Sequence, residues 1–398
     1  MIKRITAALL AVLMLFTIAA CSKTDPAKET PTDAAGTLPE TEKKIAILVA
    51  PESQYPEDYM AAKAIEAANP DTVTVKQYAD SRKLVPGDSE IITLSTEIAA
   101  DPAYGAIIYA RATRFTSWAI TKAKEAAKEV NPDIKTICIE PEESIFDVAK
   151  KADLVLCVDW QAAAKDMVAK AKESGAEYFL MFSFNRHVGD NPLIGGAKVY
   201  LQKACEEQGI KFVFEQTADS SGNESDVVTA KKSVREAVAR LKANEKISGR
   251  NVAIFSTDTL VQDTLIDLVT EKGFIYIAPT FPTAYNGIGD KLEIAVPEDY
   301  RNVDEYIKNV KALLTADPYA QGRYCIYTHT LASTLIYSAV KAAVDMLNGD
   351  ITKENMAEKI PAILKAEANC EDFAVSVYDP ANPQNIYKAY CPGFEIIK

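Results

Sequence analysis

The sequence feature that most constrains the fold is a regular alternation of short apolar runs with stretches of helical spacing. In the first half of the chain the strand-like runs lie at 45–50, 72–78, 105–110, 134–139 and 154–158. Most of them are near-continuous Val, Ile and Leu, which is typical of strands that are buried on both faces of a parallel sheet. The helical stretches between them predict right-handed βαβ units with helices on both sides of the sheet.

The same alternation begins again after residue 158 and predicts a second lobe of the same kind. Its strand-like runs lie at 178–184, 210–215, 251–256 and 274–278, with helical stretches between them. A chain of 398 residues is also too long for one ordinary core. We therefore predict an α/β fold with two doubly wound parallel-sheet (Rossmann-like) lobes joined by a multi-strand hinge.

The pattern loosens after Pro279, where helices and strands are mixed, so we expect the chain to cross between the lobes before it ends. The predicted division gives 43–158 and about 281–323 to the first lobe. It gives 159–280 and about 324–398 to the second lobe.

The N-terminus has the layout of a secretory signal peptide. Lys3 and Arg4 precede an uncharged apolar run at 5–20, which is shorter than the roughly 20 residues of a comfortable membrane span. The following Ile18-Ala19-Ala20-Cys21 resembles the lipobox of bacterial lipoproteins, which implies a lipid on Cys21 and a membrane-anchored, extracytoplasmic protein. An uncleaved anchor with a chance cysteine is the alternative. Residues 22–42 are rich in Pro, Thr, Glu, Lys and Ala and predict a flexible tether.

Charge and cysteine usage restrict the possible partners. The formal net charge of −12 argues against nucleic acid, whose phosphates require a basic surface. Besides Cys21, we expect four cysteines to be small core residues, namely Cys138, Cys157, Cys205 and Cys325. Cys370 and Cys391 flank two short strand-like segments and could form a disulfide, although spacing alone does not settle the pairing. With no Cys-x-x-Cys pair and only His187 and His329, a structural zinc site or other cofactor is not expected.

The sequence contains no Gly-x-Ser-x-Gly elbow, no Walker A loop and no His-Glu-x-x-His motif. The glycines of 285–290 (YNGIGD) do not follow a strand and open a helix, so this segment reads as a turn. The adjacent acids Glu142 and Glu143 read as solvated surface. We therefore expect a protein that is not an enzyme.

The lipoprotein signal, the tether and the two doubly wound lobes together resemble the type I periplasmic-binding proteins, the solute-binding components of ABC importers. The likeness extends from Lys44 to about Leu347 and rests on element order and on stretches such as FLMFSFNRH at 179–187. The chain is also similar to a family of uncharacterised bacterial lipoproteins of that superfamily. The effector lobes of LacI-type repressors share the fold, but here a signal peptide stands where a DNA-binding headpiece would be.

This resemblance implies a monomeric receptor that captures a small solute between its lobes and passes it to an ABC permease. It places the crossovers between lobes near Val158–Trp160, Pro279 and Tyr324. A sensory lipoprotein that signals to a membrane receptor would need the same cleft and stays open as an alternative, as does an enzyme or a structural lipoprotein.

In open parallel sheets ligands bind beyond the carboxyl ends of the strands, and two lobes close around a solute by a hinge motion. The candidate ligand-binding residues are therefore the polar and aromatic residues after each strand: Tyr55, Arg111, Arg114, Glu140, Trp160, Asn185, Arg186, His187, Asp258 and Tyr285.

Several of these candidates have simpler readings. Asp258 can cap a helix, and Trp160 can pack in the hinge or stack on a ring. The three arginines can pair with surface carboxylates or bind a carboxylate or phosphate in bidentate geometry. The ligand class stays open between a metabolite with an anionic group and a ring-bearing one such as a nucleoside or sugar.

Overall fold

The structure is a computed structural model, and it describes residues 37–52, 54–79, 90–189, 192–220, 223–244, 247–277, 283–285, 287–297, 300, 302–381 and 385–398. The predicted signal peptide, Cys21 and most of the predicted tether lie outside these ranges. Among the described helices, none combines the length and the apolar character that crossing a membrane requires.

The first half of the described chain alternates strand and helix as the apolar pattern predicts. Its elements are β1 (Lys44–Val49), α1 (Pro56–Ala68), β2 (Val73–Gln77), α2 (Glu90–Ala100), β3 (Tyr104–Tyr109), α3 (Thr116–Ala127), β4 (Lys135–Ile139), α4 (Ile145–Ala149), β5 (Leu154–Val158) and α5 (Trp160–Glu173).

The alternation continues through the middle of the chain. The elements there are β6 (Tyr178–Ser183), α6 (Asn185–Val188), α7 (Pro192–Gln208), β7 (Lys211–Gln216), α8 (Glu224–Asn244), β8 (Val252–Ser256), α9 (Gln262–Lys272), β9 (Ile275–Ile277), α10 (Ile288–Leu292), α11 (Asp304–Ala316) and β10 (Tyr324–Tyr327). Short 3-10 turns at Gly249–Asn251 and Thr259–Val261 precede β8 and α9. The C-terminal elements are α12 (Leu331–Leu347), α13 (Met356–Glu367), β11 (Ala374–Val377), β12 (Ile386–Tyr390) and β13 (Phe394–Ile396).

The strands form two sheets of the same doubly wound design. Sheet A has the order β11-β12-β5-β4-β3-β1-β2, and sheet B has the order β13-β10-β9-β8-β6-β7. Neighbouring strands are parallel except for β11 on β12 and β13 on β10. Every residue of the central strands β5 and β8 is buried, whereas the edge strands β2, β7 and β11 are partly exposed. Burial on both faces explains the near-continuous apolar runs, and the predicted two-sheet α/β fold is confirmed.

Within the described residues, the chain passes between the two sheets at three places. The first passage lies between β5 and β6, at Asp159, as expected. Strand β10 still belongs to sheet B, while the next helix, α12, packs on α1 and on β3, β4 and β5. The second passage is therefore 328–330, just after the crossover predicted near Tyr324. The crossover predicted near Pro279 falls outside the described residues, and β9 before it and α10 after it both lie with sheet B. The third is 391–393, between β12 in sheet A and β13 in sheet B.

The predicted division of the C-terminal third is accordingly wrong. The segment around 281–323, expected in the first lobe, contributes α10, which packs on α9 and α11 beside sheet B. The elements α12, α13, β11 and β12, expected in the second lobe, pack on or join sheet A. Helical spacing shows which face of a helix is apolar but not which of two sheets that face covers.

A disulfide joins Cys370, between α13 and β11, to Cys391 at the third passage, with the two Cα atoms 6.3 Å apart. The pairing that the sequence left open is thus made. Cys138, Cys157, Cys205 and Cys325 are free and buried, as predicted for core residues.

The last residues assigned to the tether contact the folded body. The backbone N–H of Leu38 donates to Asn69 Oδ1 at 2.7 Å, and the Leu38 side chain packs against the core. Asn348 Nδ2 donates to the carbonyl of Glu40 at 3.4 Å. The body therefore begins a few residues before Lys43. The chain from Ala34 to Lys398 forms one compact unit.

Candidate functional site

Buried charges gather at the carboxyl edge of sheet A around Arg111, which follows β3. Its Nε donates to Asp58 Oδ2 at 3.1 Å, and its Nη2 lies 3.0 Å from the same oxygen. On its other side, Arg111 Nη1 lies 4.0 Å from Glu140 Oε2. The guanidinium also covers the ring of Tyr55, 4.5 Å from the ring centroid. Two carboxylates therefore neutralise this cation within the protein.

Glu140, which follows β4, has an unusual backbone conformation. Its φ of +50° lies in the left-handed region, which non-glycine residues adopt only where their surroundings hold them there. One carboxylate oxygen accepts the backbone N–H of Val158 at 2.5 Å, and the Trp160 indole lies beside the carboxylate. Burial raises the pKa of Glu140 to about 7, although Arg111 opposes the rise. Local strain and a perturbed carboxyl group are both common at binding sites.

The acids after Glu140 are not solvated surface, contrary to the sequence-based expectation. Glu142 is half-buried and accepts a hydrogen bond from the Tyr55 hydroxyl at 3.3 Å, and burial raises its pKa. Glu143 accepts the backbone N–H of Ser117 at 2.8 Å in the first turn of α3. The loop after β4 folds back over α3 and Tyr55, a tertiary contact that a pair of acids in a loop does not reveal.

Sheet B presents a second polar edge at the ends of β6, β7 and β8. Arg186 donates from Nε to Asp219 Oδ2 at 3.1 Å and from Nη2 to Oδ1 at 3.3 Å. His187 stacks on Phe184 with the ring centroids 4.0 Å apart, and its Nδ1 lies 3.1 Å from Thr257 Oγ1. Burial and the neighbouring Arg186 charge lower the pKa of His187 to about 3, so its imidazole is neutral.

The two polar edges lie within electrostatic reach of each other, and we call them the facing edges. Arg186, on sheet B, acts electrostatically on Tyr55 and Glu142, on sheet A, and opposes the rise that burial produces in the pKa of each. A guanidinium at the end of β6 is thus within electrostatic reach of a phenol and a carboxylate from the other lobe. This is the arrangement expected of an interlobe binding cleft.

Comparison with known proteins agrees with this architecture. Residues 43–324 match the family described as "Protein of unknown function (DUF3798)". The chain belongs to this family. A protein of Treponema pallidum (strain Nichols), described as uncharacterized, is 25% identical over an alignment of 199 residues that covers 48% of this chain and 87% of the relative.

Two solved structures are similar to this DUF3798 member. One is a Clostridium difficile 630 protein provisionally described as a transcriptional regulator. It has a TM-score of 0.67 and 18% identity, and the match covers 89% of this chain and 98% of the other. The second is a sugar ABC transport substrate-binding protein of Bordetella parapertussis 12822, with a TM-score of 0.51 and 10% identity over 78% and 82% of the two chains. The DUF3798 member has the type I periplasmic-binding-protein fold.

The remaining candidate ligand-binding residues lie in different environments. Arg114 is exposed, with its guanidinium carbon 5.6 Å from the Phe115 ring centroid, and Asn185 is exposed at the start of α6. Trp160 is buried in the first turn of α5, beside Glu140. Asp258 accepts the backbone N–H of Leu260 at 3.0 Å, so it caps the following turn as its simpler reading predicted.

Tyr285 does not join the facing edges. It is buried against Tyr300 and Tyr306, with ring centroids 5.4 and 4.9 Å away, and its hydroxyl donates to the carbonyl of Tyr300 at 2.9 Å. The turn around it therefore directs this side chain into an aromatic cluster of the second lobe.

Sequence reasoning missed two carboxylates that set the charge of the site. Asp58 lies in the first turn of α1, where an acid is already explained by the helix dipole. Asp219 lies in the loop after β7, and the rule that selected the other candidates, a polar residue just after a strand, would have found it. The sequence around neither acid indicates its arginine partner, because each ion pair joins segments that are distant in the chain.

A third missed carboxylate links the lobes. Buried Glu57 accepts the backbone N–H of Ser333 at 2.9 Å and its hydroxyl at 2.8 Å, and the Thr283 hydroxyl donates to its other oxygen. Burial raises the pKa of Glu57 to about 7. Thr283 also forms an isolated bridge with Thr330 in the second passage. Glu57 thus connects α1, the start of α12 and the segment after β9 at the hinge.

Proposed function

We propose that this protein captures a small solute between its two lobes and delivers it to an ABC-type importer. The observation that carries the proposal is the pair of facing polar edges, with Arg186 of one lobe opposite Tyr55 and Glu142 of the other. The similar Bordetella parapertussis structure, described as a substrate-binding protein of a sugar ABC transport system, supports this choice. The proposal includes no catalytic step.

The cellular setting of the proposal comes from the N-terminus. The apolar run at 5–20 would direct export, and a lipid on Cys21 would hold the body at the outer face of the cytoplasmic membrane or within the periplasm. A membrane-anchored monomer of this kind meets its solute before the solute meets the permease.

The charges of the cleft favour a neutral, polyhydroxylated ligand over an anion. Arg111 and Arg186 already have carboxylate partners, Asp58 and Asp219, within 3.0–3.3 Å. An anion would have to compete with both carboxylates. Sugar hydroxyl groups donate to carboxylates and accept from guanidinium groups, so they match edges that mix the two. The aromatic faces of Tyr55 and Phe184 suit the apolar face of a ring.

Native mass spectrometry of the compact unit from Ala34 to Lys398, purified without refolding, tests the proposal. We expect a discrete adduct with the mass of a sugar, polyol or nucleoside, which is lost on denaturation. Arg186→Ala should lose the adduct. Arg235→Ala should keep it, because Arg235 forms a comparable exposed ion pair with Asp267 and Glu271 away from the cleft.

Two results would contradict the proposal. One is the absence of any adduct together with no thermal shift on addition of monosaccharides, disaccharides, polyols and nucleosides. The other is equal loss of the adduct in both arginine variants, which would place the solute elsewhere. The adduct could also be found while the gene lies beside a sensor kinase gene and not beside a permease gene. That combination would assign the same cleft to sensing instead of import.

A further inference from the structure

A second group of chemically reactive side chains lies at the hinge, away from the facing edges. His329 belongs to the second passage, Cys391 to the third, and Cys370 to the connection between α13 and β11. The two sulfur atoms and a ring nitrogen of His329 all lie within 4.8 Å of one another. Three separate segments therefore bring two cysteines and a histidine to one point.

These residues line a cavity of about 240 Å³. Asp304, the first residue of α11, lines the same cavity and acts electrostatically on His329. The remaining wall includes Thr328, Thr334 and Asn369. The cavity has room for an ion, for a water molecule that completes its coordination and for movement of the side chains.

Neighbouring groups hold the His329 ring in place. The carbonyl of Pro392 accepts a hydrogen bond from this ring. Gly393 packs directly against the ring, since a Cβ at this position would lie 2.9 Å from Nε2. These contacts fix the orientation of the His329 ring, as outer neighbours usually do for a metal-binding histidine.

We propose that reduction of the Cys370–Cys391 disulfide converts this cluster into a site for a thiophilic divalent cation of the Zn²⁺ class. A dithiol reductant breaks the S–S bond, supplies two electrons and two protons, and itself becomes a disulfide. The two thiols of Cys370 and Cys391 lose their protons as the metal binds. His329 supplies the third ligand, and water supplies the fourth.

The ligand set matches known preferences. Zn²⁺ is bound tetrahedrally by thiolates at about 2.3 Å and by imidazole at about 2.0–2.1 Å, with oxygen as a common fourth donor. Two thiolates on one ion lie roughly 3.8 Å apart at that bond length, so the sulfur atoms must separate after reduction. The cavity leaves space for the side chains of Cys370 and Cys391 to rotate apart. Sequence patterns do not predict this cluster, because its three residues come from separate segments without a Cys-x-x-Cys pair.

Titration with Co²⁺, a coloured substitute for Zn²⁺, tests the proposal on the compact unit reduced with a phosphine and kept anaerobic. We expect one equivalent to bind with thiolate charge-transfer and tetrahedral d–d absorption, and Zn²⁺ to abolish both. The oxidised protein and the Cys370→Ser/Cys391→Ser variant should show neither band, which also controls for the four buried cysteines. His329→Gln should weaken binding by about tenfold or more, since loss of even an outer-sphere partner costs that much.

Cys370→His provides a second route that does not depend on survival of the reduced wild type. This variant cannot form the disulfide, keeps three ligands, and should bind Co²⁺ without reductant and melt at a higher temperature when loaded. The proposal is overturned if neither the reduced protein nor Cys370→His binds Co²⁺, or if the double serine variant retains the absorption. None of these readouts depends on the solute of the cleft.

Discussion

At the scale of single residues, the buried charges around Arg111 make the clearest prediction about stability. Arg111→Ala leaves Asp58 and Glu140 buried without their cation, which typically costs about 3–5 kcal/mol of unfolding free energy. Arg114→Ala removes an exposed guanidinium three residues away and should change stability by less than about 0.5 kcal/mol. Urea unfolding at pH 7 measures both, and equal losses in the two variants would contradict the buried network.

A second prediction at this scale concerns pH. The pKa of Glu57 is about 7 in the folded protein, against an ordinary value of 4.5. Between these values the folded state keeps a proton that the unfolded state has lost, so the contribution of Glu57 is fully present below pH 4.5 and declines as pH rises to about 7. At about 1.4 kcal/mol per pH unit, the decline reaches roughly 3 kcal/mol.

The variant Glu57→Gln is neutral throughout this range and should lack the decline. The expected result is that the unfolding free energy of the wild type falls relative to Glu57→Gln between pH 4.5 and 7, measured by urea unfolding at several pH values. Parallel pH profiles for the two proteins would show that Glu57 titrates normally.

The candidate site was predictable from sequence to the extent that it follows from strand ends. Arg111, Glu140, Arg186 and His187 each follow an apolar run, and the structure brings them to the two facing edges. The same reasoning placed Tyr285 in the cleft, whereas the structure buries its side chain against Tyr300 and Tyr306. The direction of this side chain depends on tertiary packing, which the local sequence does not show. Which carboxylate neutralises which arginine was equally hidden, since those partners are distant in sequence.

At the scale of elements, local pattern predicted the strands and helices well but not the sheet that each one joins. The runs that became β1 to β9 and the long helices between them were recognisable because central strands are buried on both faces. Strand β12 pairs in parallel with β5, although more than two hundred residues separate them in the chain. Such a pairing is a property of the assembled lobes, which is why the passage at 391–393 escaped sequence reasoning.

At the scale of the whole molecule, the described residues link the lobes by three passages, by the hydrogen bonds of Glu57 and by the hydrogen bond of Tyr390 to Asp166. Two sheets joined by short passages can move against each other as rigid bodies in a hinge motion. If a solute binds between the facing edges, it contacts both lobes only when they are closed, so its binding energy stabilises the closed, folded state.

This linkage gives a last prediction, which rests on the proposed function. Protein stripped of solute by unfolding and refolding should melt at a lower temperature than protein as purified, by an amount equivalent to about 2.7 kcal/mol if the solute is held at a hundred times its Kd. Small-angle X-ray scattering should give the stripped protein the larger radius of gyration. The heat-released solute should restore both properties in the wild type and in Arg235→Ala but not in Arg186→Ala. Identical melting and scattering before and after stripping would mean that the lobes do not close on a retained ligand.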